Sequence, residues 1–272
     1  FIRKKNIKKI DLMKINIVGN LWGDSGFSVH TRHLCRALKE EGVDLGIETP
    51  LPPNYMNTDE WIEFRENIEK NYAYENTIMI SAPEYWEVKS GDRIPKFFPI
   101  SIFEGTSVSP NWIRIAEKDF ITKLIVPSEH TKKAFEIWQN EKVNNKMVVI
   151  PHGTDLNVFK PKERQKNEKF RFLFVGGWKT GIYDRKGLDI ALKAFCAEFK
   201  QDEPVEFFVK INMAYQDQNT VINNLNALGL PEIRPKISLS FDQISEEKLA
   251  KVYQESDCFV LSTKGEAFAL PC

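Results

Sequence analysis

The residues of this chain whose types and spacing could do chemistry lie in two stretches of its second half. One is Gly176-Gly177-Trp178-Lys179, running on to Asp184-Arg185-Lys186-Gly187, and the other is Ser262-Thr263-Lys264-Gly265-Glu266-Ala267-Phe268-Ala269-Leu270-Pro271. Each follows a short apolar run, Phe170–Val175 or Asp257–Leu261, of the kind that forms a buried parallel strand. A strand that ends in glycines or small polar residues, with charge just beyond, is where an open α/β sheet places its ligand chemistry. Arg185 and Lys186 at the mouth of a helix could neutralise the two phosphates of a diphosphate leaving group, the task a metal would otherwise perform. A solvated charge pair beside a helix start is the plainer alternative, and it loses weight given the glycine loop before the pair and Glu266 elsewhere. After Ala269-Leu270-Pro271 a helix is expected, with N-terminal amides that would cradle an anion.

A third stretch, Gly23-Asp24-Ser25-Gly26, stands between the first strand and the first helix. Its glycines allow a tight turn with exposed amides, a geometry suited to phosphate, and a plain βα turn is the equal alternative. Neither GxGxxG nor GxxxxGK[ST] is present, so dinucleotide and P-loop chemistry are disfavoured. His30 and His33 have HxxH spacing without a third ligand nearby, so no metal is expected there. Glu104 reads either as a residue facing an acceptor or donor or as a strand-end carboxylate in solvent. His152 reads as a hinge contact or a turn residue, the turn being preferred. Trp61, Phe64 and Ile68 lie at helical spacing and read as core rather than as a sugar platform. No pair of carboxylates at glycosidase spacing can be argued.

These residues need a scaffold, and the pattern around them supplies one. Strand-like runs at Ile15–Val18, Leu45–Ile47, Thr77–Ile80, Phe97–Ile102, Lys123–Val126 and Met147–Ile150 alternate with helical patterns at Val29–Leu38, Asn111–Phe120 and Ser128–Trp138. After the charged segment Lys160–Lys169 the alternation restarts: Phe170–Val175, a helix over Leu188–Phe199, a strand at Val205–Ile211, a helix over Thr220–Leu228, a strand at Lys236–Ser240, a helix over Ser245–Glu255, and the strand Asp257–Leu261. Strands alternating with helices argue for parallel sheets, here two open α/β units joined by a polar linker. The expected division is a leader or upstream read-through at 1–13, a first domain at 14–155, a linker at 156–169 and a second domain at 170–272.

Composition narrows the function classes. The 272 residues are 42% hydrophobic and 28% charged, with 38 basic and 38 acidic side chains, so no net field would recruit nucleic acid. Four scattered cysteines without CxxC spacing favour neither a disulfide framework nor a zinc ribbon, and fit a reducing cytosol. No apolar run approaches the roughly 20 residues that span a bilayer.

Taken together, Gly176-Gly177, Arg185-Lys186-Gly187 and Ser262 to Pro271 resemble the C-terminal half of the family 4 (group 1) retaining glycosyltransferases of GT-B fold. Those enzymes carry a Glu-x7-Glu motif here; Glu266 matches the first Glu, and the second would fall two residues beyond Cys272. The first half is similar too. Ser25-Gly26-Phe27 to Leu34 resembles the family's Gly-Gly loop and first helix, with Ser25 in place of the first Gly. Phe103-Glu104-Gly105-Thr106 and Val126-Pro127-Ser128-Glu129 resemble segments of bacterial members, and Pro151-His152-Gly153-Thr154-Asp155 the family's PxGxD signature.

The resemblance implies an α/β protein of two Rossmann-like, open parallel-sheet domains, the second incomplete. It implies transfer of a hexosyl group from a UDP-, GDP- or ADP-sugar to a hydroxyl of a saccharide, lipid-linked or small-molecule acceptor. Retention at the anomeric carbon and no resident cofactor or metal are implied with it. Arg185, Lys186 and Glu266 would be catalytic; Gly26, Gly177, Phe268, Ala269, Leu270 and Ile244 would bind the donor; Glu104 and His152 would sit on the acceptor side or at the hinge. The family often has an Arg two residues after the strand glycine, where this chain has Gly177-Trp178-Lys179. A cytoplasmic location is implied, with peripheral contact at the inner face of a membrane as an extension. A truncated second domain would expose apolar surface, so poor solubility or dependence on a partner is expected. The alternatives are a non-catalytic nucleotide-sugar-binding subunit, a GT-B epimerase, whose acid and base carboxylates are not identifiable, and a Rossmann dehydrogenase, which the missing fingerprint disfavours.

Overall fold

The computed structural model describes residues 13–70, 75–89, 94–162, 168–179, 184–214 and 216–271. The leader expected over 1–13 lies outside them except for Met13, as does part of the expected linker, 163–167. By internal contacts the chain forms two compact units. One holds the chain up to Trp22, Phe27–Ile102 and Ser107–Ile150; the other holds Gly23–Gly26, Phe103–Thr106 and the chain from Pro151 on.

In the first unit the apolar runs become six parallel strands: β1 Lys14–Val18, β2 Asp44–Glu48, β3 Asn76–Ile80, β4 Lys96–Ile100, β5 Leu124–Val126 and β6 Met147–Val149. They pair in the order β2-β1-β3-β4-β5-β6, with Ile15 opposite Leu45 on one side and Asn76 on the other. Runs of consecutive buried residues such as Ile15–Val18 are what a sheet covered on both faces demands. The helices are α1 Gly26–Glu40, α2 Asp59–Ile68, α3 Trp86–Lys89, α4 Pro110–Ala116, α5 Glu129–Glu136 and α6 Glu141–Asn144. The core joins Ile17, Leu21, Leu45 and Ile47 to Cys35 of α1 and Phe64 of α2, each at 1% exposure or less. Phe64 is thus core, as its spacing predicts, while half-buried Trp61 packs edge-on against Tyr55 at 4.9 Å.

The second unit is a four-stranded parallel sheet, with β7 Phe170–Gly176, β8 Val205–Ile211, β9 Lys236–Ser240 and β10 Cys258–Phe259 in the order β10-β7-β8-β9. Helices α7 Leu188–Glu198, α8 Gln218–Ala227 and α9 Glu246–Gln254 connect them. Leu188, Leu192 and Phe195 of α7 and Val221 of α8 pack on Val205, Phe207, Val209 and Ile211. Period-two alternation therefore sets Glu206, Phe208 and Lys210 on the opposite face of β8.

Both sheets are parallel throughout, as the alternation of strands and helices predicts. Several boundaries differ for local reasons. The helix predicted over Asn111–Phe120 ends at Ala116, because Lys146 Nζ takes the carbonyls of Ala116, Glu117 and Lys118 at 3.3, 3.1 and 2.6 Å and stops the ladder there. The first helix starts three residues before Val29, at Gly26 itself. Ser128 caps α5 by accepting from Thr131 N, as expected, but α5 ends at Glu136 rather than Trp138. The strand predicted over Asp257–Leu261 is regular only at Cys258–Phe259 and is half-buried, although the amides of Asp257 and Val260 extend its ladder to β7 at 2.8 Å. Residues up to Pro271 form bends and a turn.

Candidate functional site

The second sheet has its topological switch between β7 and β10. The chain steps from β7 to β8 to β9 and then returns to lay β10 on the other side of β7. Open α/β sheets bind ligands outside the carboxyl ends of the strands that flank such a switch. Gly176-Gly177 leaves β7 there, and Ser262 to Glu266 leaves β10 there.

The two segments interlock. Gly187 has φ +73°, and a Cβ on it would lie 1.9 Å from the Ser262 carbonyl oxygen. The Ser262 hydroxyl donates to the Gly187 carbonyl at 2.5 Å, and Lys264 N donates to the Arg185 carbonyl at 2.8 Å. These main-chain contacts hold Arg185 and Lys186 against Glu266. One carboxylate oxygen, Glu266 Oε1, receives Lys186 Nζ at 2.6 Å and lies 3.0 Å from Arg185 Nη1 and 3.0 Å from the Thr263 hydroxyl. Burial pushes the Glu266 carboxyl up, but Lys186, Arg185 and Thr263 together hold it below the usual glutamate range. Arg185 also donates to the Gly265 carbonyl at 2.5 Å and lies 3.3 Å from Glu104 Oε1, within the same unit.

The loop is positioned from beneath by groups the sequence reading did not single out. Asp184, 2% exposed, accepts from Gly187 N at 2.9 Å through one oxygen and from Asp189 N at 3.0 Å through the other. Burial pushes the Asp184 carboxyl up, and these backbone hydrogen bonds pull against it. The first amides of α7 are therefore already satisfied by an internal carboxylate, which leaves the side chains of Arg185 and Lys186, not the helix terminus, as the cationic groups of this loop. Buried Trp178 donates from Nε1 to Asp189 Oδ1 at 2.6 Å and pins the Gly176-Gly177 loop to α7.

Each residue expected at a site can be placed. Arg185, Lys186, Glu266 and Glu104 form one ion cluster, and half-buried Gly177 opens the loop beside it. Lys179 is exposed, whereas Arg185 lies in the ion cluster beside Glu266. Phe268, Ala269 and Leu270 follow Glu266 in a bend and turn, with Ala269 in the left-handed region at φ +60°, a strained conformation of the kind found at functional sites. The buried His152 ring meets Phe268 edge-on at 5.0 Å, and burial pushes its imidazole down to about 4. Ile244 sits between β9 and α9, outside the ion cluster. Gly26 has no positive φ, and a Cβ on it would meet nothing within 4 Å, so neither strain nor packing within the chain calls for glycine.

The first sheet has its own switch, between β1 and β3, and a cavity of about 570 Å³ opens there. It is lined by the ends of β1, β2 and β3, with Asn20, Glu48, Ser81 and Tyr85 supplying polar atoms. These residues come together only through parallel pairing of distant segments, and nothing in their sequence spacing marks them.

No protein-family model and no curated protein matches the sequence. Among solved structures, the chain is similar to the apo form of the lipopolysaccharide outer core galactosyltransferase WaaB, with a TM-score of 0.53 at 11% identity over 95% of this chain and 76% of that one. The structure of TarM aligns at a TM-score of 0.48 and 13% identity over 78% of this chain and 41% of that one, a level that carries no argument. At these identities the likeness speaks to the fold.

Proposed function

Because the chain has the GT-B glycosyltransferase fold, we propose that it transfers a glycosyl group from a nucleoside-diphosphate sugar to an acceptor hydroxyl. The observation that carries this reading is the pairing of Arg185 and Lys186 with Glu266 at the β7/β10 switch point. Two cations fixed by main-chain contacts suit a diphosphate, which gathers negative charge as the bond from its oxygen to the anomeric carbon breaks and the electron pair leaves with it. Glu266, an acceptor-only carboxylate, suits the hydroxyls of the donor sugar. The amides of Phe268, Ala269 and Leu270 would face phosphate oxygens, and open space at Gly26 leaves room for close approach by the donor. Ile244 would border the base.

The acceptor would enter the cavity at the first switch point, with Glu48, Asn20 and Tyr85 available to its hydroxyls. Retention at the anomeric carbon follows the sequence resemblance. In this reading Arg185 and Lys186 do the work of a divalent metal, so transfer should persist in EDTA. Thermal shift and nucleotide release, measured with UDP-, GDP- and ADP-sugars with and without EDTA, test the proposal. One donor should stabilise the protein and release its nucleoside diphosphate slowly in both conditions. No response to any donor overturns the reading.

A further inference from the structure

The second unit holds a buried charge to which the reading above gives no task. Lys210, at the last position but one of β8, is 9% exposed. Its Nζ donates to the carbonyl of Ile211, the final residue of the strand, 2.9 Å away, so the side chain bends toward the carboxyl edge of the sheet. Among the described residues this carbonyl is its one hydrogen-bond acceptor, and it forms no ion pair. Burial pushes the ammonium below the ordinary lysine range, and the carboxylates of Asp24 and Asp242 pull it back up. A buried ammonium without a bonded carboxylate is strongly unfavourable. Methionine or glutamine would fill the same space at lower cost, so packing gives no reason for a lysine.

The place suits an anion. Ile211 pairs with Gly176 of β7, and the Lys186 side chain runs past that glycine, its Cδ 3.9 Å from where a Cβ would stand. Lys186 therefore crosses the end of β7 on the face shared with Ile211, while Lys210 sits on the opposite face of β8. The two ammoniums approach the ends of neighbouring strands, about 4.8 Å apart, from opposite faces. Asn212, next after β8, ties this edge together, donating its amide to the Gly176 carbonyl at 2.9 Å and its side chain to the Asp24 carbonyl at 2.7 Å. Arg185 and Lys186 are already answered by Glu104 and Glu266. Lys210 adds a third cation to this edge, with no carboxylate bonded to it among the described residues and with Asp24 and Asp242 acting on it only through their fields.

We propose that Lys210 is a third donor-binding cation, which takes a phosphate oxygen of the nucleoside diphosphate laid across the ends of β7 and β8. The proposal rests on the donor reading above. Its test is calorimetric titration of wild type, Lys210→Met and Lys210→Gln with UDP, GDP, ADP, inorganic pyrophosphate and the parent nucleosides, beside unliganded melting. Both variants should melt at or above the wild-type temperature. They should lose at least about tenfold in affinity for the preferred nucleoside diphosphate and for pyrophosphate, and stay within about twofold for the nucleoside. Unchanged diphosphate affinity overturns the role of Lys210 and leaves the donor reading standing. Equal losses for nucleoside and diphosphate overturn it by placing Lys210 at the base. Variants that melt well below wild type overturn it by making Lys210 a structural residue. A wild type that binds no nucleoside diphosphate overturns the donor reading, and the role of Lys210 with it.

Discussion

Lys186 Nζ and Glu266 Oε1 meet at 2.6 Å, although 80 positions separate the two residues in sequence. Arg185 shares the same oxygen at 3.0 Å, so a single carboxylate answers two cations and leaves its second oxygen available. The three groups are only partly screened, with Glu266 and Lys186 at 15% and 19% exposure and Arg185 at 40%.

Glu266→Gln should therefore destabilise the protein at neutral pH by about 1 kcal/mol, a figure that allows for the exposure of Arg185. The folded carboxyl lies below its ordinary value of 4.5. Its stabilisation is present above pH 4.5 and is lost as pH falls through the lower folded value. Chemical denaturation as a function of pH should show this acid limb in wild type and a flatter one in Glu266→Gln. Identical limbs contradict the coupling.

Gly187 is where the two site segments touch most closely. With φ +73° and the Ser262 carbonyl 1.9 Å from a Cβ, alanine there suffers both left-handed strain and a clash with main chain that cannot move aside. Gly187→Ala should cost about 3 kcal/mol and abolish donor binding, as read by denaturant melts and ligand-induced thermal shift. Gly26→Ala is its control: with open space around the Cβ it should fold normally and lose donor affinity alone.

His152 reports on the loop that carries Glu266. Its imidazole, ordinarily near 6.5, is pushed down to about 4 by burial beside Phe268. The folded state thus keeps the ring neutral while the unfolded chain takes up a proton, so stability is full above pH 6.5 and declines as pH falls toward 4. His152→Phe, which keeps an aromatic ring against Phe268, should flatten the profile between pH 6.5 and 4 in a denaturation series. Most of this window lies above the one set by Glu266, so the two contributions separate between pH 6.5 and 4.5.

The sequence made much of this legible, and for physical reasons. Predominantly apolar runs such as Ile15–Val18 and Val205–Val209, each holding one polar residue, mark strands covered on both faces, and their alternation with helices gives two parallel sheets. Arg185, Lys186 and Glu266 could be named because glycine and charge beside a strand end are local signals. What stayed hidden depends on burial or on distant segments meeting. Asp184 caps α7 from within its own loop, yet only its burial marks it as more than another acidic residue. Lys210 interrupts an apolar strand and reads as a surface residue until the structure buries it. Glu48 and Tyr85 share a cavity only because β1 separates β2 from β3. The early end of α4 follows from Lys146, thirty residues beyond Ala116.

The most direct test of the account is steady-state transfer by wild type, Lys186→Arg and Lys186→Gln with the preferred donor in EDTA. If Lys186 stabilises the departing diphosphate, Lys186→Gln should lower kcat by about 100-fold or more, with a smaller change in donor KM, and Lys186→Arg should restore part of the rate. A Lys186→Gln enzyme that turns over at the wild-type rate contradicts the central claim.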